Sequence, residues 1–443
     1  MKQLTSTARK RPQANAPRLL PDSLAFAIRQ SAELVAAVLE GRNLTESWEA
    51  KLGLHPEWSP ATRGAVRDMA WSTLREYGSG DLVLEQLLSK PLPDTVHAVL
   101  LIALHRLAER PEQSHVIVDQ SVDAAASFAP GLRGVVNGVL RNYLRRTADF
   151  RLAIEQDPTA RFQHPDWWVE RLQRSLPDAW QSVLEAGNTH PPMGLRVNRR
   201  SGSRDEYQRD LQEAGIAAKP IGEDGLLLDR PVPVTALPGF AEGRVSVQDV
   251  GAQWAARLLG ACDGQRVLDA CSAPGGKTAH ILERADVQLT ALDVDSKRLA
   301  RVHANLDRLG LKATTACGDA RDIRQWWDGK PFDHILADVP CSASGVVRRH
   351  PDIKWLRRDE DIRGFAAQQA QILDALWPSL ARGGTMLYAT CSVFEEENGA
   401  QVAAFCDRHP DVERLPLDGR MDLQLLPNAE HDGFYYALLR KSA

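Results

Sequence analysis

Two cysteines stand where strand-like runs of the sequence end, in the phrases "ADVPCSASG" and "YATCSVFEEEN". Cys341 and Cys391 each precede a serine, and a thiolate at such a turn can act as a nucleophile that forms a covalent intermediate. A free thiol has a pKa of about 8.5, so either cysteine needs activation at neutral pH. The glutamates at 395–397 oppose activation of Cys391, whereas donors at the opening of the next helix favour it. The residues alone leave the choice of nucleophile open.

The stretch "LDACSAPGGKTAHILE" follows another strand-like run and opens a helix. Gly275 and Gly276 permit a tight turn and a close approach of the backbone to a ligand. The stretch is not a P-loop, because Cys271 occupies the position of the required first glycine, and the GxGxxG fingerprint is absent. A nucleoside-type cofactor without a pyrophosphate remains as the candidate ligand.

Acidic residues end the next two strand-like runs, "ALDVD" and "GDARD". Asp293 can accept hydrogen bonds from ribose hydroxyls, and Asp319 is placed to meet an adenine amino group. An acidic pocket also suits a sulfonium, so the pattern favours S-adenosylmethionine over ATP. Lys277 is expected to cap the helix or to contact the cofactor's carboxylate. The alternative is that both aspartates only cap the helices that follow them.

The elements that must position these residues alternate between strand and helix from Arg244 onward. The runs "RVLDAC", "QLTALDVD", "KATTACGDA", "FDHILADVP" and "GTMLYATCS" predict a parallel, doubly wound, Rossmann-like α/β sheet. Such a sheet binds its ligands at the carboxyl ends of the strands, where the acidic and cysteine phrases fall. A last run, "GFYYALLRK", predicts an edge strand.

Upstream of this catalytic domain (244–443), the pattern predicts a basic disordered leader (1–20), an all-α domain (21–146), and linker helices with a small α+β module (147–243). Asp22 or Ser23 can cap the first helix, and Gly41 can end it. One face of the last helix carries the arginines at 133, 141 and 145. The arginines at 196, 199, 200, 204 and 209 are interpreted as a solvated face, with RNA contact as the alternative.

The bulk composition excludes several classes of protein. The chain has 443 residues, a net charge of −4, 43% hydrophobic and 25% charged residues, which is typical of a globular protein. No apolar run is long enough to span a membrane and no signal peptide is evident, so a cytoplasmic protein is expected. The six cysteines include no CxxC pair, which argues for reduced thiols and against a metal site.

The phrases "CSAPGGKT", "DVPCSASG" and "YATCSVFEEEN" resemble, in this order, three signature motifs of the RNA 5-methylcytosine methyltransferases. The all-α region, which ends in "VVNGVLRNYLRR", resembles the RNA-binding NusB antitermination factor. The resemblance covers nearly the whole chain. It implies methylation of C5 of a cytosine in small-subunit (16S-type) ribosomal RNA, with S-adenosylmethionine as donor and a covalent cysteine–C6 adduct as intermediate.

The resemblance also implies a role for each motif residue. Cys391 would be the nucleophile, Cys341 would assist release of the adduct, and Asp338 would recognise the base. The cofactor-binding set would be Cys271, Ser272, Ala273, Pro274, Gly275, Gly276, Lys277, Asp293, Arg298, Asp319 and Asp338. The basic run "VVRRHPDIKWLRR" would track RNA phosphates beside the site. A monomer with no metal and no membrane partner is expected.

Two other functions stay open on the sequence. One is a non-catalytic RNA-binding assembly factor with a vestigial methyltransferase fold. The other is methylation of a protein or small molecule on the same fold. The combined presence of Asp338, Cys341 and Cys391 speaks against both.

Overall fold

The computed structural model describes residues 18–442, which divide into two compact units. The first holds the described residues up to Asp166 together with His350–Asp352, and the second holds Trp167–Arg349 and the described residues from Ile353. Residues 1–17, most of the predicted leader, lie outside the described residues. Between residues 18 and 442, no helix combines the length and apolar character that crossing a membrane requires.

Within residues 18–166 every regular element is a helix, as predicted for this region. Ser23 caps the first helix by accepting a hydrogen bond from the N–H of Phe26, and Gly41 follows its end with a φ of +90°. The apolar fifth helix is buried along most of its length. The helices are α1 (Leu24–Leu39), α2 (Leu44–Leu54), α3 (Pro60–Arg75), α4 (Tyr77–Leu87), α5 (Asp94–Glu109), α6 (Ser114–Ala126), α7 (Arg133–Arg145), α8 (Thr147–Gln156) and α9 (Pro158–Phe162).

A small antiparallel sheet follows, in the strand order β2-β3-β1-β4. Its strands are β1 (Gly194–Val197), β2 (Ala218–Ile221), β3 (Gly225–Leu228) and β4 (Val245–Val247), and the helices around it are α10 (Asp166–Ser175), α11 (Trp180–Asn188) and α12 (Arg204–Glu213). Tyr207 and Leu211 of α12 pack on Leu195 and Leu226 of the sheet. Ser203 and Glu206 form a capping box that fixes the start of α12.

The large sheet has the strand order β10-β12-β9-β8-β5-β6-β7, with β11 paired to β12. Its strands are β5 (Arg266–Asp269), β6 (Gln288–Asp293), β7 (Thr314–Cys317), β8 (Phe332–Asp338), β9 (Leu380–Thr390), β10 (Val412–Leu415), β11 (Leu423–Leu425) and β12 (Phe434–Lys441). The helices that accompany it are α13 (Trp254–Leu259), α14 (Gly276–Arg284), α15 (Ser296–Leu309), α16 (Ile353–Leu356), α17 (Asp359–Leu376) and α18 (Gly399–Arg408). The five strands from β5 to β9 run parallel, which confirms the predicted doubly wound fold.

Apolar side chains cover both faces of the large sheet. Val267 of β5 and Leu387 of β9 belong to the core on one face, whereas their neighbours Leu268 and Tyr388 belong to the core on the other. Strands that are buried on both faces read as continuous apolar runs rather than as alternating ones. This burial explains why the runs were recognisable in the sequence.

The prediction that "GFYYALLRK" forms an edge strand is wrong. β12 pairs with β9 on one side and with β10 and β11 on the other. Tyr435 and Tyr436 are 2% and 0% exposed, so this strand is covered on both faces. Its uninterrupted apolar character is typical of an inner strand.

Neighbouring parallel strands bring the two cysteine phrases together. In the register between β8 and β9, Asp338 lies opposite Ala389. Both strands end within two residues of this pair, so the loops that carry Cys341 and Cys391 leave the sheet at the same edge. Behind the loops, Gly345 donates its N–H to the carbonyl of Cys391 at 2.8 Å, and a Cβ at position 345 would meet the backbone oxygen of Gly433 at 2.4 Å.

Candidate active site

A glycine-bearing loop, defined here as residues 271–277, follows β5 and includes the first two residues of α14. Gly275 has a φ of +95°, which side-chain-bearing residues rarely adopt, and a Cβ there would lie 3.2 Å from Val302. Ser272 donates its N–H to the carbonyl of Leu292 at 2.9 Å, so the loop is tied to β6. Burial raises the pKa of Cys271 well above that of an ordinary thiol. A thiol that keeps its proton is a poor nucleophile, so Cys271 lines the site without reacting.

Asp293 stands at the end of β6 with its side chain buried and both oxygens engaged by backbone. Its carboxylate accepts the N–H of Ala273 at 3.1 Å and the N–H of Asp295 at 3.1 Å. The cap of α15 is Asp295, which accepts from the N–H groups of Lys297 and Arg298. Capping therefore falls to Asp295, and Asp293 faces the loop instead.

Arg298, in the first turn of α15, contacts both the glycine-bearing loop and Asp293. Its guanidinium donates to the carbonyl of Ala273 at 3.2 Å and lies 3.7 Å from Asp293. The side chain is half exposed, and it lines the cavity described below.

Asp319 follows β7 and is partly exposed. Hydrogen bonds from the side chain of Arg321 lower the pKa of Asp319 and hold its carboxylate ionised at the edge of the site. The phrase "GDARD" contained this arginine, two residues beyond the aspartate, but nothing in the spacing marked it as the partner.

Lys277 forms an ion pair with Asp338, with Nζ and Oδ2 2.6 Å apart. Burial alone would lower the pKa of Lys277, but the charge of Asp338 and their hydrogen bond raise it above the ordinary lysine value. The sequence predicted a helix cap or a cofactor contact for Lys277, and the structure pairs it with Asp338, the base-recognition candidate, at the wall of the cavity described below. No local signal joins residues that are so far apart in the chain.

The two cysteines are in contact: Sγ of Cys341 lies 3.4 Å from Sγ of Cys391, and both are free thiols. The hydrogen bond with Cys391, together with burial and the charge of Glu397, raises the pKa of Cys341 well above that of an ordinary thiol. Cys341 therefore keeps its proton at neutral pH and can donate it in a hydrogen bond to Cys391.

A cavity of about 340 Å³ collects most of the predicted site residues along its wall. It is lined by Cys271, Ala273, Lys277, Asp293, Arg298, Asp319, Asp338, Cys341 and Cys391. Four further residues of the predicted cofactor set belong to the same loop but do not line this cavity, namely Ser272, Pro274, Gly275 and Gly276. Phe434, which also lines the cavity, was missed, because it comes from β12 and belongs to none of the motifs.

At the end of β5, Asp269 is a buried carboxylate that the sequence reasoning did not assign. Its Oδ2 accepts a hydrogen bond from Thr278 at 2.6 Å, and its Oδ1 has no partner among the described residues. Burial raises the pKa of Asp269 to about 7; the hydrogen bond from Thr278 opposes this rise, and the charge of Asp338 adds to it by a smaller amount.

The three consecutive glutamates after Cys391 have separate environments. Glu396 forms an ion pair with Arg171 of α10, which also binds Asp359 at the start of α17. Glu397 is 0% exposed and lies beneath the cysteine loops. The three glutamates were predicted to act together on the pKa of Cys391. In the structure, Glu397 lies next to the cysteine loops, whereas Glu396 pairs with Arg171.

The interpretation of the small-module arginines as a solvated or RNA-facing surface is wrong for Arg196. This side chain is 1% exposed and binds Glu283 of α14 through Nε and Nη2, at 2.7 and 2.8 Å. It also donates to the carbonyl of Gly276 in the glycine-bearing loop at 2.7 Å. Arg200 donates to the carbonyls of Leu282 and Ala285 at the end of the same helix. Both arginines therefore bind α14 through hydrogen bonds and help to hold this helix in place.

In the basic run that was predicted to contact RNA phosphates, "VVRRHPDIKWLRR", several side chains bind groups within the protein instead. Arg348 and Arg349 bind the buried Asp432, and Arg349 also binds Asp249 at 2.7 Å. Lys354 is 0% exposed and donates to Asn188 at 2.8 Å. Arg358 is the contrasting case, with a side chain 77% exposed. The prediction fails for Arg348 and Lys354, which are 2% and 0% exposed, because charge in a sequence does not reveal burial. For Arg349, which is partly exposed, the contact with RNA stays a prediction.

No group of three or more histidine, cysteine, aspartate or glutamate side chains that could hold a metal ion is found within residues 18–442. The doubly wound sheet, the glycine-bearing loop after β5 and the carboxylate that ends β6 define a Rossmann-like methyltransferase domain. This class is the one in which the comparisons with known proteins place the chain.

Three family models match consecutive parts of the chain. Residues 25–145 match the NusB family, residues 164–235 match the ferredoxin-like domain of the RsmF/B-like methyltransferases, and residues 256–440 match 16S rRNA methyltransferase RsmB/F. Ribosomal RNA small subunit methyltransferase B of Citrobacter koseri is 44% identical over 88% of this chain and 93% of its own. The chain therefore belongs to the ribosomal RNA small subunit methyltransferase B family and is an rRNA methyltransferase, as the motifs predicted.

Solved structures agree on the fold. A methyltransferase homolog protein from Pyrococcus horikoshii is 28% identical, with a TM-score of 0.57, over 64% of this chain and 97% of its own. NSun6 from Pyrococcus horikoshii, in a structure with SFG, is 20% identical, with a TM-score of 0.55, over 63% of this chain and 98% of its own.

Proposed function

We propose that this protein transfers a methyl group from S-adenosylmethionine to C5 of a cytosine in small-subunit ribosomal RNA in the cytoplasm. A transient bond between Cys391 and C6 of the base activates the ring. The observation that carries the proposal is the pair of free thiols 3.4 Å apart, in the lining of a cavity that residues of the glycine-bearing loop also line. Neither thiol has a use in methylation of a protein or small molecule.

The residues around the cavity fit S-adenosylmethionine. A volume of about 340 Å³ is in the range of small-ligand pockets. Asp293 would hold the ribose and Asp319 the adenine, while the loop from Cys271 to Lys277, with Arg298 behind it, would carry the methionine part. The cofactor supplies an electrophilic methyl group when bound.

Recognition of the base is assigned to Asp338. Its Oδ2 is engaged by Lys277, so Oδ1 can accept a hydrogen bond from the exocyclic amine of cytosine. Uracil carries a carbonyl at that position and cannot donate, which gives selection between the two pyrimidines. The base must leave its stack to reach this depth.

The chemistry then follows from the thiols. The thiolate of Cys391 adds to C6, and the electron pair of the C5–C6 double bond becomes nucleophilic at C5, which takes the methyl group. Water takes the C5 proton as the base, the electron pair of the C5–H bond restores the C5–C6 double bond, and Cys391 leaves C6 as a thiolate. Cys341 stays protonated while it donates to Cys391, and it lies beside the bond that must break, so its role is in breakdown of the adduct.

RNA contact outside the cavity is assigned to the outer face of α7. The arginines at 133, 141 and 145 are exposed, and a groove between α6 and α7 is lined by Arg133, Arg141, His115 and Asn137. Exposed guanidinium groups on one helical face suit contacts with backbone phosphates.

The test is identification of the product nucleoside. Small-subunit rRNA from cells that lack the protein is incubated with purified protein and methyl-labelled S-adenosylmethionine, digested and analysed by mass spectrometry. The expected product is 5-methylcytidine, and bisulfite sequencing of the same rRNA gives the position. Label on another atom, such as N4 of cytosine, or on another nucleotide would overturn the proposal.

A further inference from the structure

Glu397 is a fully buried carboxylate beneath the two cysteine loops, with 0% exposure. A buried carboxylate is costly unless hydrogen bonds replace the water that it loses. Its neighbour Glu396 faces the surface and pairs with Arg171, so the burial of Glu397 is specific to this position. The reaction described above does not use it.

The carboxylate accepts four hydrogen bonds, three of them from the serines that follow the cysteines. Oε1 accepts from the N–H of Ser342 at 2.8 Å and from the side chain of Gln369 at 3.0 Å. Oε2 accepts from the hydroxyls of Ser342 and Ser392, at 2.5 and 2.6 Å. Ser342 follows Cys341 and Ser392 follows Cys391, so one carboxylate holds the residue next to each thiol.

Backbone donors fix the direction of these hydroxyl bonds. The hydroxyl oxygen of Ser342 accepts the N–H of Ser344 at 3.3 Å, and that of Ser392 accepts the N–H of Phe394 at 3.0 Å. The two hydroxyls also lie 3.2 Å from each other and 3.1 and 2.9 Å from the hydroxyl of Ser344. The contacts with Glu397 are shorter than these, and a carboxylate is the stronger acceptor, so the serine protons favour Glu397. All four groups around the carboxylate are donors, and an amide in its place would present a donor to at least one of them.

The remaining contacts anchor Glu397 to the sheet through its backbone and to α17 through its carboxylate. Gln369 also donates to the carbonyl of Pro340 at 3.0 Å, just before Cys341. Tyr388 of β9 donates its hydroxyl to the backbone carbonyl of Glu397 at 2.6 Å. The network therefore connects both loops with the two elements that flank them.

We propose that Glu397 is a positioning residue, whose carboxylate holds the Cys341 and Cys391 loops in register so that Cys341 can act on the adduct that Cys391 forms. Its catalytic consequence rests on the proposed function. The geometric part, that Glu397 sets the distance between the thiols, stands without it. Charge adds a second effect, because Glu397 contributes to the raised pKa of Cys341.

The test compares Glu397→Gln with Glu396→Gln, a matched loss of one charge at a neighbouring surface position. Proximity of the thiols is measured by the rate at which diamide forms the Cys341–Cys391 disulfide. Two thiols lose two protons and two electrons in this step, and diamide takes them up as its hydrazine. We expect Glu397→Gln to slow cross-linking by about tenfold or more and Glu396→Gln to leave it unchanged.

Two readouts separate positioning from general damage. Glu397→Gln should bind S-adenosylmethionine as tightly as the unaltered protein by calorimetry, and its Cys341 should react with iodoacetamide at a lower pH. In the methylation assay, kcat should fall by about tenfold or more while KM for RNA changes little. Because cross-linking needs no methylation, its result is informative even where the assigned reaction is wrong.

If Glu397→Gln does not fold, Ser342→Ala and Ser392→Ala each remove one hydroxyl donor and give the same cross-linking comparison with a smaller effect. Cross-linking rates equal to that of the unaltered protein in every variant would overturn the proposal. A loss of cofactor binding equal to the loss of kcat would overturn it too, because the carboxylate would then support the whole fold rather than the thiol pair.

Discussion

The two walls of the cavity are built differently. On the cofactor wall, Asp293 is held by backbone N–H groups, while Arg298 and Asp319 are partly exposed. On the cysteine wall, a buried network of serines around Glu397 fixes the loops. A cofactor must enter and leave in every cycle, which suits an accessible wall with few buried bonds. A covalent step needs reacting atoms at a fixed distance, which suits a rigid one.

Substitution of the proposed nucleophile gives the largest expected effect and isolates the cysteine side of the cavity. Cys391→Ala should reduce turnover by roughly 10³-fold or more, since the thiol that forms the proposed covalent bond is removed. Binding of S-adenosylmethionine should stay within about twofold, because the cofactor wall is intact. Methyl transfer and calorimetry on the same preparation measure the two quantities. Full turnover in this variant would refute the assignment of Cys391.

Cys341→Ala should affect a later step on the same wall. We expect a covalent protein–RNA complex to accumulate and multiple turnover to fall by about 100-fold, because the adduct forms but breaks down slowly. Denaturing gels with labelled RNA detect the complex. The double variant Cys341→Ala, Cys391→Ala is the control and should show none. A complex that survives in the double variant would mean that another nucleophile forms it.

Asp293→Asn tests the cofactor wall. We expect affinity for S-adenosylmethionine to fall about 10- to 100-fold, since a hydrogen bond to a charged group contributes about 1.5–3 kcal/mol. Asp295→Asn is the matched control: it changes only the cap of α15, where asparagine caps as well as aspartate. Calorimetry compares the two. Equal losses of affinity would show that Asp293 acts through the fold and not through the ribose.

The smallest effect on turnover is expected from Asp269→Asn, whose consequence appears in stability. Asp269 has a folded-state pKa of about 7, raised by burial from an unfolded value of about 3.9. Between about pH 4 and pH 7 the folded protein keeps a proton that the unfolded chain loses, so stability falls with rising pH by up to about 1.4 kcal/mol per unit.

In Asp269→Asn this contribution to the slope should vanish. Urea denaturation of both proteins at several pH values between 4 and 8 measures the difference. An unchanged slope would mean that Asp269 is ionised in the folded protein throughout this range.

The sequence was informative where a backbone conformation or a motif is local. The glycine-bearing loop, the parallel strands and the cysteine phrases could all be predicted from short stretches, because turns and two-sided burial leave their pattern in the residues themselves. The contact between Cys341 and Cys391 could be anticipated only in outline, from the rule that parallel strands end at the same edge.

Pairings between distant residues could not be predicted. Arg196 and Lys354 resemble surface residues in sequence, yet both are buried in the second unit. Arg196 binds Glu283, and Lys354 donates a hydrogen bond to Asn188. The same holds for Lys277 with Asp338, and for Glu397 with the two serines. A charge becomes interior only when a partner far along the chain offsets its desolvation, and that partner is visible only in the folded structure.

The inner position of β12 has a consequence for biosynthesis. β9, which ends one residue before Cys391, pairs with β8 on one side and with β12 on the other, where Thr390 lies opposite Tyr435. During translation β9 leaves the ribosome well before β12 does, and until then its second edge has no strand to bind. The sheet beside the two cysteine loops therefore stays incomplete in the nascent methyltransferase until the residues of β12 have left the ribosome.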